Sequence, residues 1–423
     1  MPLSTDGSTP LSSTRIRLAL LALALGGFGI GATEFVAMGL LPNLAHDLLP
    51  TLYAASPDAA NARAGWLISA YALGVVVGAP TIAAAAARWP RKKLLLALLT
   101  AFTLGTIASA LLPSFETVLI ARFVAALPHG AYFGIASLVA ANLMGPGKRA
   151  RGIALVLSGL TIANVIGVPT ITFIGQTSGW RVAYLVVAGI FALTFAAVAI
   201  FVPFQAGNPH ATMRAELRAF RQLQVWITLG IGAIGFGGLF AVYTYVAPLV
   251  IEITGLTAGA VPLVLVVVGL GMTAGNFGGG ALADWSVRRT MYISFAVLIG
   301  ALLVLALSAH SLAGLLTGMF FIGAAASALS PTIQARLMDV AHESQSLAAA
   351  LNHSSLNVGN ALGAALGGVA IAGGFGYLAP VWIGVALSLI GVVLTLVTFG
   401  IDRRWRRRGV PVPYGTQLIR TVK

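Results

Sequence analysis

Apolar residues in this chain occur in long continuous runs, not in the alternating or helical-face patterns of water-soluble proteins. A helix needs about 20 apolar residues to cross the hydrocarbon core of a bilayer, and each run reaches that length. Short polar breaks separate twelve runs, at residues 17–41, 64–87, 92–112, 117–143, 150–174, 180–202, 224–249, 259–283, 289–309, 312–338, 345–372 and 378–400. We therefore predict an all-α integral membrane protein with twelve transmembrane helices.

The composition supports this prediction and narrows the function. Hydrophobic residues make up 58% of the chain and charged residues 9%, against about 25% charged residues in soluble domains. The chain has no cysteine, which excludes disulfides, thiol nucleophiles and cysteine metal sites. It contains neither a phosphate-binding Gly-x-x-x-x-Gly-Lys-Ser/Thr loop nor a known catalytic motif, so we expect no enzyme activity, no cofactor and no metal.

The positive charges predict the orientation in the membrane. The chain has 25 Lys and Arg residues, and nearly all lie near the N-terminus, in alternate connections or in the C-terminal tail. Only Arg63, Arg122 and Arg181 fall toward the other side. Because short cytoplasmic loops are enriched in Lys and Arg, both termini are predicted to be cytoplasmic in a multi-pass cell (inner or plasma) membrane protein.

The net charge of +14 follows from this orientation and from attraction of the basic tail, residues 402–408, to anionic membrane lipids. We therefore expect no nucleic-acid partner. The first apolar run is too long for a signal peptide, and eleven more runs follow it.

The chain reads as two similar halves. A shift of 197 residues places Arg91 and Lys92 on Arg288 and Arg289, and it superimposes loops of matching length and polarity. We predict a disordered cytoplasmic N-tail, two pseudo-symmetric six-helix bundles, an interdomain loop and a basic cytoplasmic C-tail. The N-tail is residues 1–16, and the two bundles are residues 17–203 and 224–400. The interdomain loop is residues 204–223, and the C-tail is residues 401–423.

The connection between spans 8 and 9 carries the most recognisable motif. Gly280, Asp284, Arg288 and Arg289 match the Gly-x-x-x-Asp-Arg-x-Gly-Arg-Arg/Lys signature of the major facilitator superfamily. Twelve spans in two halves with cytoplasmic termini also resemble this family. The resemblance covers essentially the whole chain and implies the major facilitator fold, with Asp284 in a gating lock.

The first-half copy of the motif keeps only its basic residues, Arg88, Arg91 and Lys92. The two glycines and the aspartate of the signature are replaced by Ala83, Pro90 and Ala87. This departure leaves the gating lock of the first half without its carboxylate.

Three further segments, 31–42, 127–130 and 159–169, resemble the arabinose/sugar-efflux-permease-like branch of the drug:proton antiporters. The last corresponds to the antiporter motif, although one residue here separates Gly167 from Pro169. This resemblance implies export of a small solute in exchange for protons.

Ionisable residues inside the spans are few, and such groups usually face a cavity or a partner. Glu34 lies seven residues before the end of span 1, and Arg122 lies five residues into span 4. At 1.5 Å per residue both are about 8–10 Å deep from the same side, so they could pair. A moving Arg partner would switch the proton affinity of the carboxylate, as proton coupling requires. The alternatives are a static ion pair, direct substrate contact by Glu34, or Arg122 extending to the lipid headgroups.

His129 lies near the middle of span 4 beside Pro128. It could bind substrate or a proton, or its neutral ring could bond to the backbone carbonyl that the proline frees. Four asparagines, Asn164, Asn276, Asn357 and Asn360, are neutral hydrogen-bonding residues in spans 5, 8 and 11. Each could line the cavity or bond between helices.

Together these features predict a secondary transporter that works by alternating access, with a small-molecule substrate, protons and membrane lipids as partners. Proton-coupled efflux is the expected mode, and the chain is expected to be a monomer. One alternative is a proton symporter that imports a sugar, nucleoside or similar metabolite. A membrane sensor or lipid-handling protein is a second alternative.

Overall fold

The computed structural model describes residues 12–85, 89–144, 149–206, 222–341 and 345–407. Within these residues, twelve helices are long and apolar enough to cross a membrane, which confirms the predicted fold class. In chain order, α1 to α12 are Ser13–Gly39, Pro57–Ile82, Arg91–Leu111, Phe115–Met144, Ala154–Ser178, Trp180–Phe201, Leu223–Tyr243, Ala258–Ala283, Trp285–Ser308, Leu312–Val340, Leu351–Ala372 and Ala379–Trp405.

Local sequence signals explain where several helices begin. Ser12 caps α1, because its Oγ accepts a hydrogen bond from the backbone N–H of Arg15. The helix therefore starts four residues before the predicted boundary. Ser114 and Thr117 form a reciprocal capping box at the start of α4.

Two short helices, Leu41–Leu48 and Pro50–Ala55, fill the connection between α1 and α2. We call the face of the bundle on which they lie the opposite face. The basic face is the one that carries Ser13 and Arg407. Most of the predicted interdomain loop, the first eleven residues and the C-tail from residue 408 lie outside the described residues.

Backbone irregularities coincide with the motifs noted in the sequence. The segment Ala163–Gly167 in α5 is a π-helical turn that ends two residues before Pro169. Helix α4 breaks at Leu127 and Pro128, because proline has no backbone N–H and cannot continue the hydrogen-bond ladder. Such turns free backbone groups and re-aim side chains at mid-membrane.

Small residues allow the helices to approach closely. Gly159 of α5 packs against the carbonyl of Ala24 in α1, and Gly275 of α8 packs against the carbonyl of Ala324 in α10. A side chain on either glycine would overlap the neighbouring backbone. Close contact of this kind stabilises helix pairs where lipid provides no hydrophobic drive between helices.

The two halves, α1–α6 and α7–α12, meet along an interface that we call the seam. Helix α2 packs against α11 within it, and the Ser69 hydroxyl donates a hydrogen bond of 3.2 Å to the Ala361 carbonyl. Toward the opposite face, Asn61 Nδ2 donates to the hydroxyl of Tyr377 at 2.8 Å. These buried bonds between the halves close the seam at its opposite-face end.

Tyr377 lies in the connection between α11 and α12, outside the spans. Burial raises the pKa of its phenol above the ordinary value, and the hydrogen bond from Asn61 acts in the other direction. The phenol therefore keeps its proton and takes part in the seam as a neutral hydrogen-bonding group.

Candidate transport site

Glu34 of α1 lies inside the seam, with only 6% of the residue exposed. Its Oε1 accepts a hydrogen bond of 3.5 Å from Nδ2 of Asn360 in α11, so the contact joins the two halves. Asn360 is also buried, and its Oδ1 has no partner among the described residues. The predicted carboxylate and one predicted asparagine are therefore together in the structure.

Arg122 of α4 is buried close to Glu34 without forming an ion pair with it. Its Nη1 donates to the carbonyl of Thr33 at 2.9 Å, one residue before the carboxylate. The guanidinium stacks on the ring of Tyr71 at 4.4 Å and lies 5.5 Å from the ring of Tyr184. Its Nε and Nη2 have no hydrogen-bond partner within the described part of the chain. Arg122 therefore holds two free donors beside the backbone that carries Glu34.

A cluster of aromatic rings begins at Phe35, the residue next to Glu34. Phe35 stacks on Phe240 of α7 at 6.3 Å and contacts Tyr243 at 5.7 Å. The Tyr243 hydroxyl is buried and has no partner among the described residues. The rings provide apolar walls, whereas the free hydroxyl and amide oxygens can bond to a polar solute. Tyr243 is not among the site residues predicted from the sequence, because periodicity does not show which face of α7 is turned to α1.

His129 lies in a second contact across the seam. Its Nδ1 is 3.4 Å from the hydroxyl of Tyr71, and its ring centre lies 6.4 Å from that of His353 in α11. Phe133 stacks on His353 at 5.5 Å. Tyr71 thus contacts both Arg122 and His129.

The remaining asparagines are dispersed. Nδ2 of Asn357 donates to the carbonyl of His353 on its own helix. Asn164 is buried in the π-helical turn of α5, where its backbone carbonyl packs against Gly269 of α8. Asn276 is exposed, and no described contact joins it to Glu34. The structure therefore brings Asn360 to Glu34 but leaves Asn276 apart.

The gating residues lie near the basic face. Nζ of Lys92 donates to the carbonyl of Ala199 at 2.7 Å and so ties α3 to α6 within one half. Arg289 stacks on Trp285 at 4.7 Å. Gly280 lies in α8, where an added Cβ would meet no atom within 4 Å.

Other members of the gating set remain as sequence predictions. Arg88 lies outside the described residues, as does the side chain of Asp284. Gly167 closes the π-helical turn, and a side chain there would meet the ring of Phe28. Pro169 follows in the α-helical part of α5.

Sequence reasoning missed one buried charge network. Arg336, near the end of the predicted tenth span, lies inside α10 and is fully buried. Its Nη2 donates to Asp402 of α12 at 2.9 Å and to Gln224 of α7 at 3.3 Å. A single acidic residue in an otherwise basic tail was the only sequence signal for Asp402.

A cavity of about 580 Å³ opens on the opposite face and is lined by both halves. On its rim, Asp47 accepts hydrogen bonds from Trp180 at 2.9 Å and from Arg181 at 3.0 Å. Ala247 and Ala258 line it from the second half. The cavity lies on the far side of the closed seam from His129.

The chain is similar to known proteins over most of its length. The model of the Major Facilitator Superfamily matches residues 23–311 and 229–422. The chain belongs to the Major Facilitator Superfamily. Members of this superfamily are transporters, and the expectation that the chain is not an enzyme is confirmed by that membership.

Individual relatives agree with this assignment. The inner membrane transport protein YdhP of Escherichia coli (strain K12) is 38% identical over 381 residues, covering 89% of this chain and 96% of that protein. The chloramphenicol resistance protein of Streptomyces lividans is 32% identical over 386 residues, covering 90% and 95%. The crystal structure of a D-xylose-proton symporter covers 95% of this chain and 100% of that chain with a TM-score of 0.72. At 17% identity that last likeness shows the shared fold alone.

Proposed function

We propose that this Major Facilitator Superfamily transporter exports a small solute across the inner membrane in exchange for protons, with its basic face in the cytoplasm. The observation that carries the proposal is the buried carboxylate of Glu34 in the seam, beside an arginine that does not pair with it. A carboxylate that can hold a proton in one state and pair with Arg122 in another supplies the switch that antiport needs.

Several features support the efflux direction. The span 5 segment resembles the antiporter motif, and its Gly167 closes a π-helical turn in the structure. A similar chain is named as a chloramphenicol resistance protein, and expelling a drug is one route to resistance. The aromatic walls near Glu34 suit a partly apolar solute, and the unpaired oxygens of Tyr243 and Asn360 suit one with polar groups.

The test uses proteoliposomes that hold a pH-sensitive dye and an acidic lumen. A panel of chloramphenicol, ethidium, L-arabinose and uridine is added outside. Antiport makes the lumen more alkaline when a transported compound enters, because each solute molecule exchanges for protons. Proton symport lowers the lumenal pH of vesicles that start at neutral pH, so the sign of the change separates the two modes.

Glu34→Gln is expected to abolish the proton signal. Glu116→Gln is the matched control, since Glu116 makes only an exposed ion pair with Arg63 on the opposite face. The proposal is wrong if Glu34→Gln moves protons on addition of a transported compound as fast as Glu116→Gln does.

A further inference from the structure

The seam contains a second titratable pair that the role of Glu34 does not use. His129 of α4 and His353 of α11 face each other across the two halves, with ring centres 6.4 Å apart. Directly hydrogen-bonded imidazoles would have centres about 5 Å apart, so the rings are neighbours without a direct bond. His129 is 2% exposed, and His353 is partly buried.

Aromatic rings surround this pair, and no described carboxylate forms an ion pair with it. The phenol of Tyr71 approaches His129 from α2, and Phe133 contacts both imidazoles, with its ring centre 5.5 Å from each of theirs. Among the described residues, neither imidazole belongs to an ion pair. Of the charged side chains that the structure describes, Arg122, on the Tyr71 ring, and Glu34 of α1 lie in this part of the seam.

We propose that His129 and His353 form a proton-binding site, distinct from Glu34, whose occupancy controls how firmly the halves close against each other. Two imidazolium groups this close would repel, and a buried imidazolium without a counter-ion is strongly disfavoured. The closed seam therefore holds fewer protons than the same two side chains hold when the halves part and water reaches them.

The position on α11 indicates which side supplies the protons. His353 is seven residues from Asn360, about 10 Å along the helix in the direction of the basic face. The site thus lies between the Glu34 contact and the basic face. Protons that enter from the basic face therefore favour parting of the halves at that face. When the halves close, the histidines release these protons to the same face.

Linkage gives the size of the effect. A hydrated imidazole titrates near pH 6.5. Each imidazole that is charged only when the halves part therefore raises the ratio of parted to closed molecules about tenfold as the pH falls from 7.5 to 5.5. If closure excludes only the second proton, the ratio changes about sixfold, and if closure expels both protons it changes about hundredfold. We expect a change between roughly fivefold and hundredfold.

The experiment exploits the absence of cysteine from the chain. One cysteine is introduced at the basic-face end of α4 and one at that of α10, and both are spin-labelled. Pulsed electron paramagnetic resonance then reports the populations of parted and closed halves at each pH, without a substrate. In the double variant, His129→Gln keeps a hydrogen-bonding partner for Tyr71, and His353→Phe keeps the stack on Phe133.

Wild type is expected to shift toward the parted state as pH falls, and the double variant to lose at least a fivefold part of that shift, any remaining response coming from Glu34. His310→Gln is the matched control, since His310 is exposed between α9 and α10 and should leave the response intact. The single variants provide the test should the double variant not fold, and each is expected to respond less than wild type. The proposal is overturned if the double variant, or each of the single variants, shows the same pH response as wild type. It is also overturned if the distance populations of wild type do not change with pH.

This inference shares one assumption with the proposed function, namely that an alternating-access transporter binds protons in the seam. A Glu34→Gln variant keeps both imidazoles and is expected to keep the distance response. Failure of the Glu34 proposal would therefore appear in the proteoliposome signal, and failure of the histidine proposal in the distance populations.

Discussion

The buried network around Arg336 predicts a large and selective loss of stability when its counter-ion is removed. Arg336 is fully buried, and its Nη2 lies 2.9 Å from Asp402. Gln224 and Thr398 complete the network, and the guanidinium lies 5.1 Å from the Phe399 ring centre. The network joins α7, α10 and α12 near the basic face.

Asp402→Asn leaves a buried guanidinium without its counter-charge. Removing one partner of a buried pair costs about 3–5 kcal/mol, because the remaining charge stays desolvated. At roughly 2 °C per kcal/mol, the apparent melting temperature should fall by about 5–10 °C. The double change Arg336→Met with Asp402→Leu removes both charges and should recover most of this loss.

The assay is tryptophan fluorescence during heating of the purified protein in detergent, at one fixed scan rate. Asp47→Asn is the matched control, since it removes the same group from the half-exposed pair with Arg181. Such pairs are worth about 0–1 kcal/mol, so the control should fall by no more than about 2 °C.

Two results would refute this reasoning. Equal losses for Asp402→Asn and Asp47→Asn would mean that the buried carboxylate does not compensate the arginine. A double variant less stable than Asp402→Asn would mean that the ion pair contributes more than apolar packing could replace.

Two further predictions concern packing and gating. Gly275→Ala should lower the melting temperature by several degrees, because the added Cβ would overlap the Ala324 carbonyl. In the control Gly278→Ala the added Cβ meets no atom within 4 Å, so this change should be neutral or slightly stabilising. Equal melting temperatures for the two variants would contradict the packing argument. Tyr377→Phe loses the 2.8 Å bond from Asn61, worth about 1 kcal/mol, and should raise the labelling rate of a single cysteine placed in the α2–α11 seam about fivefold. An unchanged rate would show that this bond does not hold the opposite-face end closed.

The sequence singled out two ionisable residues that the structure places in the seam between the halves. Few groups that ionise near neutral pH fall inside the runs, so Glu34 and His129 stood out by their depth alone. Their proposed roles remain predictions. Glu34 and Arg122, which could have paired, form no ion pair in this structure, and Arg122 instead donates to the backbone carbonyl of Thr33. Whether Arg122 donates to the Glu34 carboxylate or to the neighbouring Thr33 carbonyl depends on the rotation of the helices. An evenly apolar span gives no sequence signal of that rotation.

The charge pattern was informative about sides and misleading about depth. Arg122 counted among the charges of the other side in the topology argument, yet it is buried in α4, and Arg336 is likewise buried in α10. Lysine and arginine counts report the average bias of a loop and do not show whether one side chain turns inward to a partner.

The sequence by itself determined the number of spans and the family, because each span must satisfy its backbone hydrogen bonds within its own helix and must match the membrane thickness. These are local requirements that about 20 consecutive residues meet or fail. Only the tertiary structure decided which polar groups meet. Asn360 and Glu34 are 326 residues apart in the chain, and Arg336 and Asp402 are 66 apart. Such contacts depend on the rotation and packing of whole helices, and small residues leave many packings open until the complete bundle selects one.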